Sequence, residues 1–428
     1  MAELADEPLQ RAAGPVLAGR GQFTRHGEGW EIQLFVKDEK SVAALSALKD
    51  FPYPLKLDLR SSDKLTDETI LSLQPCKNLR ALRISMNQHL TDTGLAQVAG
   101  QVGLERLELD SIPGITDAGL GHLKGLTHLE SLDLGFTGVT GAGLAQLATL
   151  TRLRSLKLMS VPVTDSDLEA LAGSQELVEL NLRSTRITDA GLATVAKLPK
   201  LRKLSLSLTQ VTDAGLDHLA ALPLESLDIC DLNISNDGLA KLKSFTHLRH
   251  LRLGGVGLAN LKPKKLDDEG FMHLGELFEL SELDFEGFFE FQGPGLTHLA
   301  KLPKLTSLDL SQTGITDAGL AHVVGMTHLE SLTLPKEIGD AGLRHVAGLK
   351  NLRRLNLGWT QITDAGLANI ARLEKLTQLN LSNTAIGDEG LKHLDGLKNL
   401  KGVSLINTQV TERGRATLRE AVPQVEVW

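Results

Sequence analysis

Cysteine is nearly absent. Cys76 and Cys230 are the only two in 428 residues, far apart and in no metal-ligand spacing, which excludes a disulfide framework and fits a reduced compartment. Aromatic residues make up only 4% of the chain, so the 42% apolar content that must build the core is mostly aliphatic, leucine above all. A surplus of basic charge is also missing: 45 Lys+Arg stand against 53 Asp+Glu, a net charge of −8. That balance argues against a nucleic acid or an anionic membrane as partner, since both call for a basic surface. No apolar run approaches the ~18 residues of a membrane span. The opening "MAELADEPLQRAAG" carries acidic residues where a secretory signal would carry basic ones. A cytoplasmic location is therefore expected.

Repetition fills the chain. The segments "LESLDLGFTGVTGAGLAQLATLTR" (129–152), "LVELNLRSTRITDAGLATVAKLPK" (177–200) and "LTSLDLSQTGITDAGLAHVVGMTH" (305–328) share one phrase, L-x-x-L-x-L-x-x-T-x-I-T-D-A-G-L-x-x-L-x-x-L. Fifteen copies begin near residues 54, 79, 104, 129, 153, 177, 201, 224, 248, 280, 305, 329, 352, 376 and 400; most are 23 to 25 residues long, and the copy from 248 is 32. Within each copy L-x-L alternates with period two and predicts a short strand. The Thr-Asp pair predicts a helix N-cap, and L-x-x-L-x-x-L lays one apolar stripe along a short helix. The glycine of "DAGL" predicts a helix start lying close to the strand layer. One copy cannot bury its leucines alone. Stacked copies can, with the strands in one parallel sheet and the helices on its other side. Strands spaced at ~4.8 Å cannot match helices ~10 Å across without curvature, so the sheet is expected to line a concave side.

This pattern resembles the leucine-rich repeat family over roughly residues 54–423. The resemblance implies an α/β leucine-rich-repeat solenoid, a horseshoe with a parallel β-sheet on the concave face and helices on the convex face. The "ITDAGL" form looks like bacterial members. It is also similar to the repeats of F-box proteins, but those place Cys where this chain has Thr, and no F-box precedes the repeats. Residues 1–53 offer two alternating runs around "HGEG" and a short helical pattern, "SVAALSALKD". They are expected to cap the first repeat, and residues 424–428 to form a capping strand at the other end. A single right-handed solenoid without a domain break is expected, with an insertion at 254–267.

Chemistry is sparse in these repeats. No Walker loop, nucleophile elbow or H-E-x-x-H occurs, and "GVGLAN" (255–260) lacks the third glycine of a dinucleotide loop. His273, His298, His322 and His345 recur at equivalent helix positions, but helices ~10 Å apart cannot share one ion at ~2.1 Å. The recurring Asp117, Asp189, Asp213, Asp317 and Asp364 are read as helix caps rather than metal ligands. No catalytic residue, metal or cofactor is implied, and an enzyme is the least supported reading.

Residues flanking the strand leucines face the concave surface. There an acidic group (Asp228, Asp231, Glu282, Asp284, Glu286 and Asp309) gathers around His250 and Arg252, while Asn356, Gln378, Asn380 and Asn407 keep the last repeats neutral. Like charges on adjacent strands repel, so a basic partner, internal or external, is expected there. The leading reading is a non-catalytic scaffold, expected as a monomer, that binds a protein on this face. A carbohydrate- or peptide-binding module using Phe136, Trp359 and the Asn/Gln positions is the alternative. The phrase breaks once, at "DFEGFFEFQGPGL" (284–296). Aligned on "ITDAGL", Phe291 takes the inward isoleucine position, Gly293 replaces the aspartate, and Phe288 or Phe289 turns outward. Next to the 254–267 insertion, this rim reads either as packing, with Leu258 and Leu261 covering the phenylalanines and Lys262, Lys264 and Lys265 neutralising the acidic strand, or as a ligand site with Phe288 and Phe289 as anchors.

Overall fold

The computed structural model describes residues 14, 16, 21–26, 29–254 and 266–428. The insertion residues 255–265, with Leu258, Leu261 and the three lysines, lie outside the described residues, as does the "GE" of the "HGEG" turn. The chain falls into two compact units, Met1–Gln210 and Val211–Trp428.

The first unit starts with an antiparallel pair, Gln22–His26 against Gly29–Gln33, and a helix, Glu39–Ala47, whose N-cap Asp38 and Ser41 form a reciprocal capping box. Gly29–Gln33 then pairs in parallel with Leu55–Asp58, and one short strand per repeat extends the sheet to Lys203–Ser205. The register puts Leu57, Leu82, Leu107, Leu132, Leu156, Leu180 and Leu204 in a single column, all buried. The second unit repeats the arrangement from Ser226–Asp228 to Glu426–Val427, entirely in parallel. Its column runs Leu227, Leu251, Leu283, Leu308, Leu332, Leu355 and Leu379 and ends in Val403 and Val427. Short α- and 3-10 helices lie between successive strands. The fold is the expected α/β solenoid of leucine-rich repeats: L-x-L supplies the inward leucines of the strands before those of Val403 and Val427, and the helix stripe covers them.

The "TDAGL" phrase works differently from the cap read in the sequence. The threonine hydroxyl does cap its own helix; Thr116 Oγ1 accepts from Ala118 N at 3.3 Å. The aspartate, however, serves the next repeat. Asp92 accepts from Thr116 N at 2.8 Å and from Thr116 Oγ1 at 2.5 Å. Asp117 does the same for Thr140, Asp213 for Ser235 and Asp340 for Thr363. Asp317 and Asp364 receive the backbone N–H of Gly339 and Gly387, where the threonine is missing. At Thr91, Thr116, Thr188 and Thr411 the hydroxyl donates to a carboxylate of the preceding repeat while accepting from its own helix, a charge-assisted chain stronger than either bond alone; at Thr140, Ser235 and Thr363 only the bond to the carboxylate is made.

This joint also explains the glycine. A Cβ on Gly119 would lie 2.2 Å from Asp92 Oδ1, one on Gly366 2.1 Å from Asp340 Oδ1 and one on Gly390 2.4 Å from Asp364 Oδ1. The glycine makes room for the neighbour's carboxylate, not for the strand layer.

The exceptions follow the same rule. In the repeat from 129 the aspartate position is Gly141, and in the following repeat the glycine position is Asp167. Asp167 points back into the space a side chain on Gly141 would fill and accepts from Thr164 N at 2.8 Å and Thr164 Oγ1 at 2.6 Å. The carboxylate has changed repeats, but its bonds have not changed. At the broken phrase, Asp268 accepts from the backbone N–H groups of Gln292, Gly293 and Gly295 at 2.7–3.0 Å. Gly293 then offers no carboxylate to the next repeat, where Gly319 instead approaches the backbone of Gln292 and Gly293 directly. The helical segments Gly141–Thr149, Asp167–Leu171, Gly270–Glu276 and Gly319–Gly325 are 3-10 throughout. Each belongs to a repeat whose own or incoming aspartate is missing or replaced; for Gly270 the incoming group is Asn236.

Replacing a helical glycine by alanine normally favours the helix by about 1 kcal/mol. Gly366→Ala is expected to lower the melting temperature instead, because its methyl meets Asp340. Gly121→Ala, with nothing within 4 Å of its Cβ, should leave melting unchanged or raise it. Thermal unfolding by circular dichroism checks both.

Candidate functional site

After most strands one residue enters the left-handed region. In the first unit these are Ser61, Met86, Ser111, Phe136, Ser160, Ser184 and Leu208; in the second they include Asp231, Gln312, Trp359, Asn383 and Asn407. Their N–H groups carry the sheet ladder one step further: Phe136 N donates to Met159 O and Trp359 N to Ser382 O, both at 2.9 Å. Side chains here project outward from the strand ends. Phe136 is 51% exposed, Met86 66% and Trp359 72%. Phe136, Asp231 and Trp359 therefore belong to this rim and not to the strand face on which Asp231 had been grouped.

The preceding turn accounts for much of the acidic strand face. Asp133 Oδ1 accepts from Gly135 N at 3.0 Å, Asp228 Oδ1 from Cys230 N at 3.2 Å, Asp284 Oδ1 from Glu286 N at 3.1 Å and Asp309 Oδ1 from Ser311 N at 2.8 Å. Each side chain closes the turn that sets up the left-handed residue. Aspartate and asparagine alternate at this position for that reason.

The second unit brings Asp228, Arg252, Asp284 and Asp309 onto four consecutive strands. Arg252 lies between two of the carboxylates, 3.1 Å from Asp284 Oδ2 and 3.6 Å from Asp228 Oδ2, and His250 Nδ1 is 3.1 Å from Glu282 Oε2. The chain thus supplies its own basic partners for this group. Cys230 is 4% exposed beneath it; burial, reinforced by the Asp228 charge, pushes its thiol far up and favours the protonated form. Glu286 hydrogen-bonds Gln312 of the next repeat.

At the broken phrase the aromatic residues divide. Phe271, Phe285 and Phe291 are fully buried, with ring centroids 4.1–4.9 Å apart. Phe291 fills the isoleucine position as expected, and Phe285 replaces an inward leucine. Phe288 is half-buried, and its carbonyl accepts from Phe291 N and Gly314 N. Phe289 turns outward, 62% exposed. Phe136, the remaining sequence-predicted residue, lies in the first unit.

That unit has its own charged strand face. Arg60 holds Asp58 through both carboxylate oxygens at 3.0 Å, Arg83 pairs with Glu108, and Lys157 Nζ is 3.7 Å from Asp133 Oδ2. Burial, then the charges of Asp133 and Glu108, raises Asp110 above the ordinary carboxylate range; burial also raises Asp133. Among the described residues no group of His, Cys, Asp and Glu could hold a metal ion, and no helix is long and apolar enough to cross a membrane.

A parallel strand layer with one strand-turn-helix unit every ~24 residues defines a repeat solenoid. Seven segments, 76–99, 125–148, 173–196, 197–220, 301–322, 348–371 and 372–394, match the family model described as Leucine Rich repeat. The chain is a leucine-rich-repeat protein. No curated protein matches it. Among solved structures it is similar to an internalin (inlF) from Listeria monocytogenes, with 21% identity, 86% of this chain and 89% of that one covered, and a TM-score of 0.39. It is also similar to the LRR protein LIC12759 of Leptospira interrogans, with 18% identity, 98% and 97% covered, and a TM-score of 0.45.

A carboxyl whose proton affinity is raised on folding destabilises the folded state once it ionises. The cost of Asp110 is absent well below pH 4 and fully present above the raised value. Asp110→Asn is expected to raise stability at pH 7.5, by about 0.5 kcal/mol for a half-exposed charge, and to lose that gain toward pH 3. Melting temperatures across this range check the sign.

Proposed function

We propose that this chain is a non-catalytic scaffold that binds a protein partner through its strand face and the rim around residues 254–291. The observation that carries the reading is the rim. Met86, Phe136 and Trp359 hold large apolar side chains in the left-handed region, where a non-glycine residue costs about 1–3 kcal/mol, and they leave them in solvent. Phe289 is exposed in the same way beside the broken phrase. Burying such side chains in a partner gains what the fold does not, and aromatic anchors of this kind dominate protein interfaces. The charged strand face next to the rim is already internally paired, which suits it to orienting a partner more than to attracting one. Nine strands at ~4.8 Å give each unit a face about 40 Å long, enough for the ~800 Å² of a standard interface.

The test is capture from cells that make this protein, followed by mass spectrometry, with the parent chain and a Phe288→Ala, Phe289→Ala variant as baits. The reading expects one partner enriched by the parent and lost by the variant, with melting little changed. Equal capture by both baits with a lowered melting temperature would reduce the phenylalanines to packing and move the site elsewhere. No protein enriched by the parent would contradict the scaffold reading.

A further inference from the structure

The column of turn-closing residues changes character along the second unit. It carries Asp228, Arg252, Asp284 and Asp309 on earlier strands, then Thr333, Asn356, Asn380 and Ser404, the aspartates and asparagines among them closing turns. Asparagine keeps the turn but reverses what the side chain offers outward. Asn356 Oδ1 accepts from Gly358 N at 3.0 Å and from Asn380 Nδ2 at 2.9 Å, and Asn380 Oδ1 accepts from Ser382 N at 3.0 Å. A backbone N–H can be met only by the amide oxygen, so both carboxamides are fixed in orientation. Both Asn356 amide hydrogens and the second hydrogen of Asn380 Nδ2 remain for a ligand.

These residues line a cleft of about 430 Å³ over the strands from Ser331–Thr333 to Gly402–Ser404. Arg354 and Gln378 form its second row. Arg354 contacts Ser331 Oγ at 3.4 Å; no Asp or Glu side chain lines the cleft, and no ion pair between Arg354 and an Asp or Glu side chain is formed among the described residues. Trp428 closes one end. Its ring lies over Gly402, where a Cβ would come within 2.6 Å of it, and about half of the residue stays exposed. The cleft therefore combines one unpaired guanidinium, oriented amide donors, and an aromatic face seated on a glycine.

We propose that this cleft binds a small carboxylate-bearing, oxygen-rich molecule of sugar-acid type. The guanidinium would take the carboxylate, the Asn356 and Asn380 amides the ring or hydroxyl oxygens, and Trp428 the apolar face of a sugar ring. Its volume falls in the range of small-molecule sites. The site is independent of the protein-binding reading, and failure of either leaves the other standing.

Isothermal titration calorimetry on the full chain tests it, with digalacturonate as probe, neutral galactobiose as the uncharged match, and N-acetyl-triglycine as a peptide carboxylate. Digalacturonate is expected to bind with a Kd of about 1 mM or tighter, galactobiose at least about tenfold more weakly for want of the charge-assisted contact, and the peptide at least about tenfold more weakly for want of a sugar face on Trp428 and of ring and hydroxyl oxygens for the amides. Arg354→Gln should weaken digalacturonate about tenfold. Asn356→Asp should do at least the same with unchanged melting, since its carboxylate still closes the turn as Asp309 does; Asp228→Asn, in the same column, should leave binding unaltered. Equal binding of galactobiose, tighter binding of the peptide, unaltered binding by Asn356→Asp, or no heat with digalacturonate would each overturn the proposal.

Discussion

Most repeats depend on a carboxylate from the one before them. A helix of four to seven residues cannot satisfy its first N–H groups or stand alone in water. Here a threonine supplies the first acceptor, and the previous repeat's aspartate holds that threonine in place. The hydroxyl is donor and acceptor at once, so helix start and repeat stacking are one interaction. The glycine three residues past the threonine gives the carboxylate its space. Thr, Asp and Gly thus recur because they meet across a joint, each in a neighbouring copy's geometry.

Two irregular joints show which part is indispensable. Between Gly141 and Asp167 the carboxylate and the hydrogen have exchanged positions, and Thr164 still receives both of its bonds. After Gly293 the carboxylate is gone. There the backbones close directly, a buried cluster of Phe271, Phe285 and Phe291 packs beside the gap, and the following helix is 3-10. The break in the phrase is first an architectural substitution, aromatic packing in place of an ionic joint. Only Phe289 is left over, turned outward. Because stacking is secured on the helix side of the strands, the strand face and its rim are free to vary, and they do: ion-paired around Arg252, neutral and donor-rich around Asn356.

Much of this was legible in the sequence. Period two in L-x-L and the leucine stripe specify which side chains point inward, and Leu180 and Phe291 are buried where the pattern places them. The partner of the aspartate was not legible, because a Thr-Asp pair before a helix reads locally as a cap, while its true contact lies 22 to 24 residues away. A signal did exist: glycine replaces aspartate at Gly141 in the copy just before aspartate replaces glycine at Asp167. The turn-closing role of the acidic face was hidden for a related reason. Asp228, Asp284 and Asp309 serve their own turns, and a turn-closing carboxylate cannot be told from a ligand-facing one by alternation alone. The donor-rich cleft was invisible because it depends on which amide oxygens the backbone consumes.

The central claim is that the carboxylate at the joint matters and the repeat that carries it does not. Transplanting the natural exchange tests this in the first unit, with Asp92→Gly, Gly119→Asp and the double variant compared by denaturant unfolding. Each single change is expected to destabilise, the first by stripping Thr116 of its acceptor and the second by forcing two carboxylates into one space. The double variant should recover most of the loss, a coupling of about 1–3 kcal/mol. Additive losses in the double variant would contradict the account.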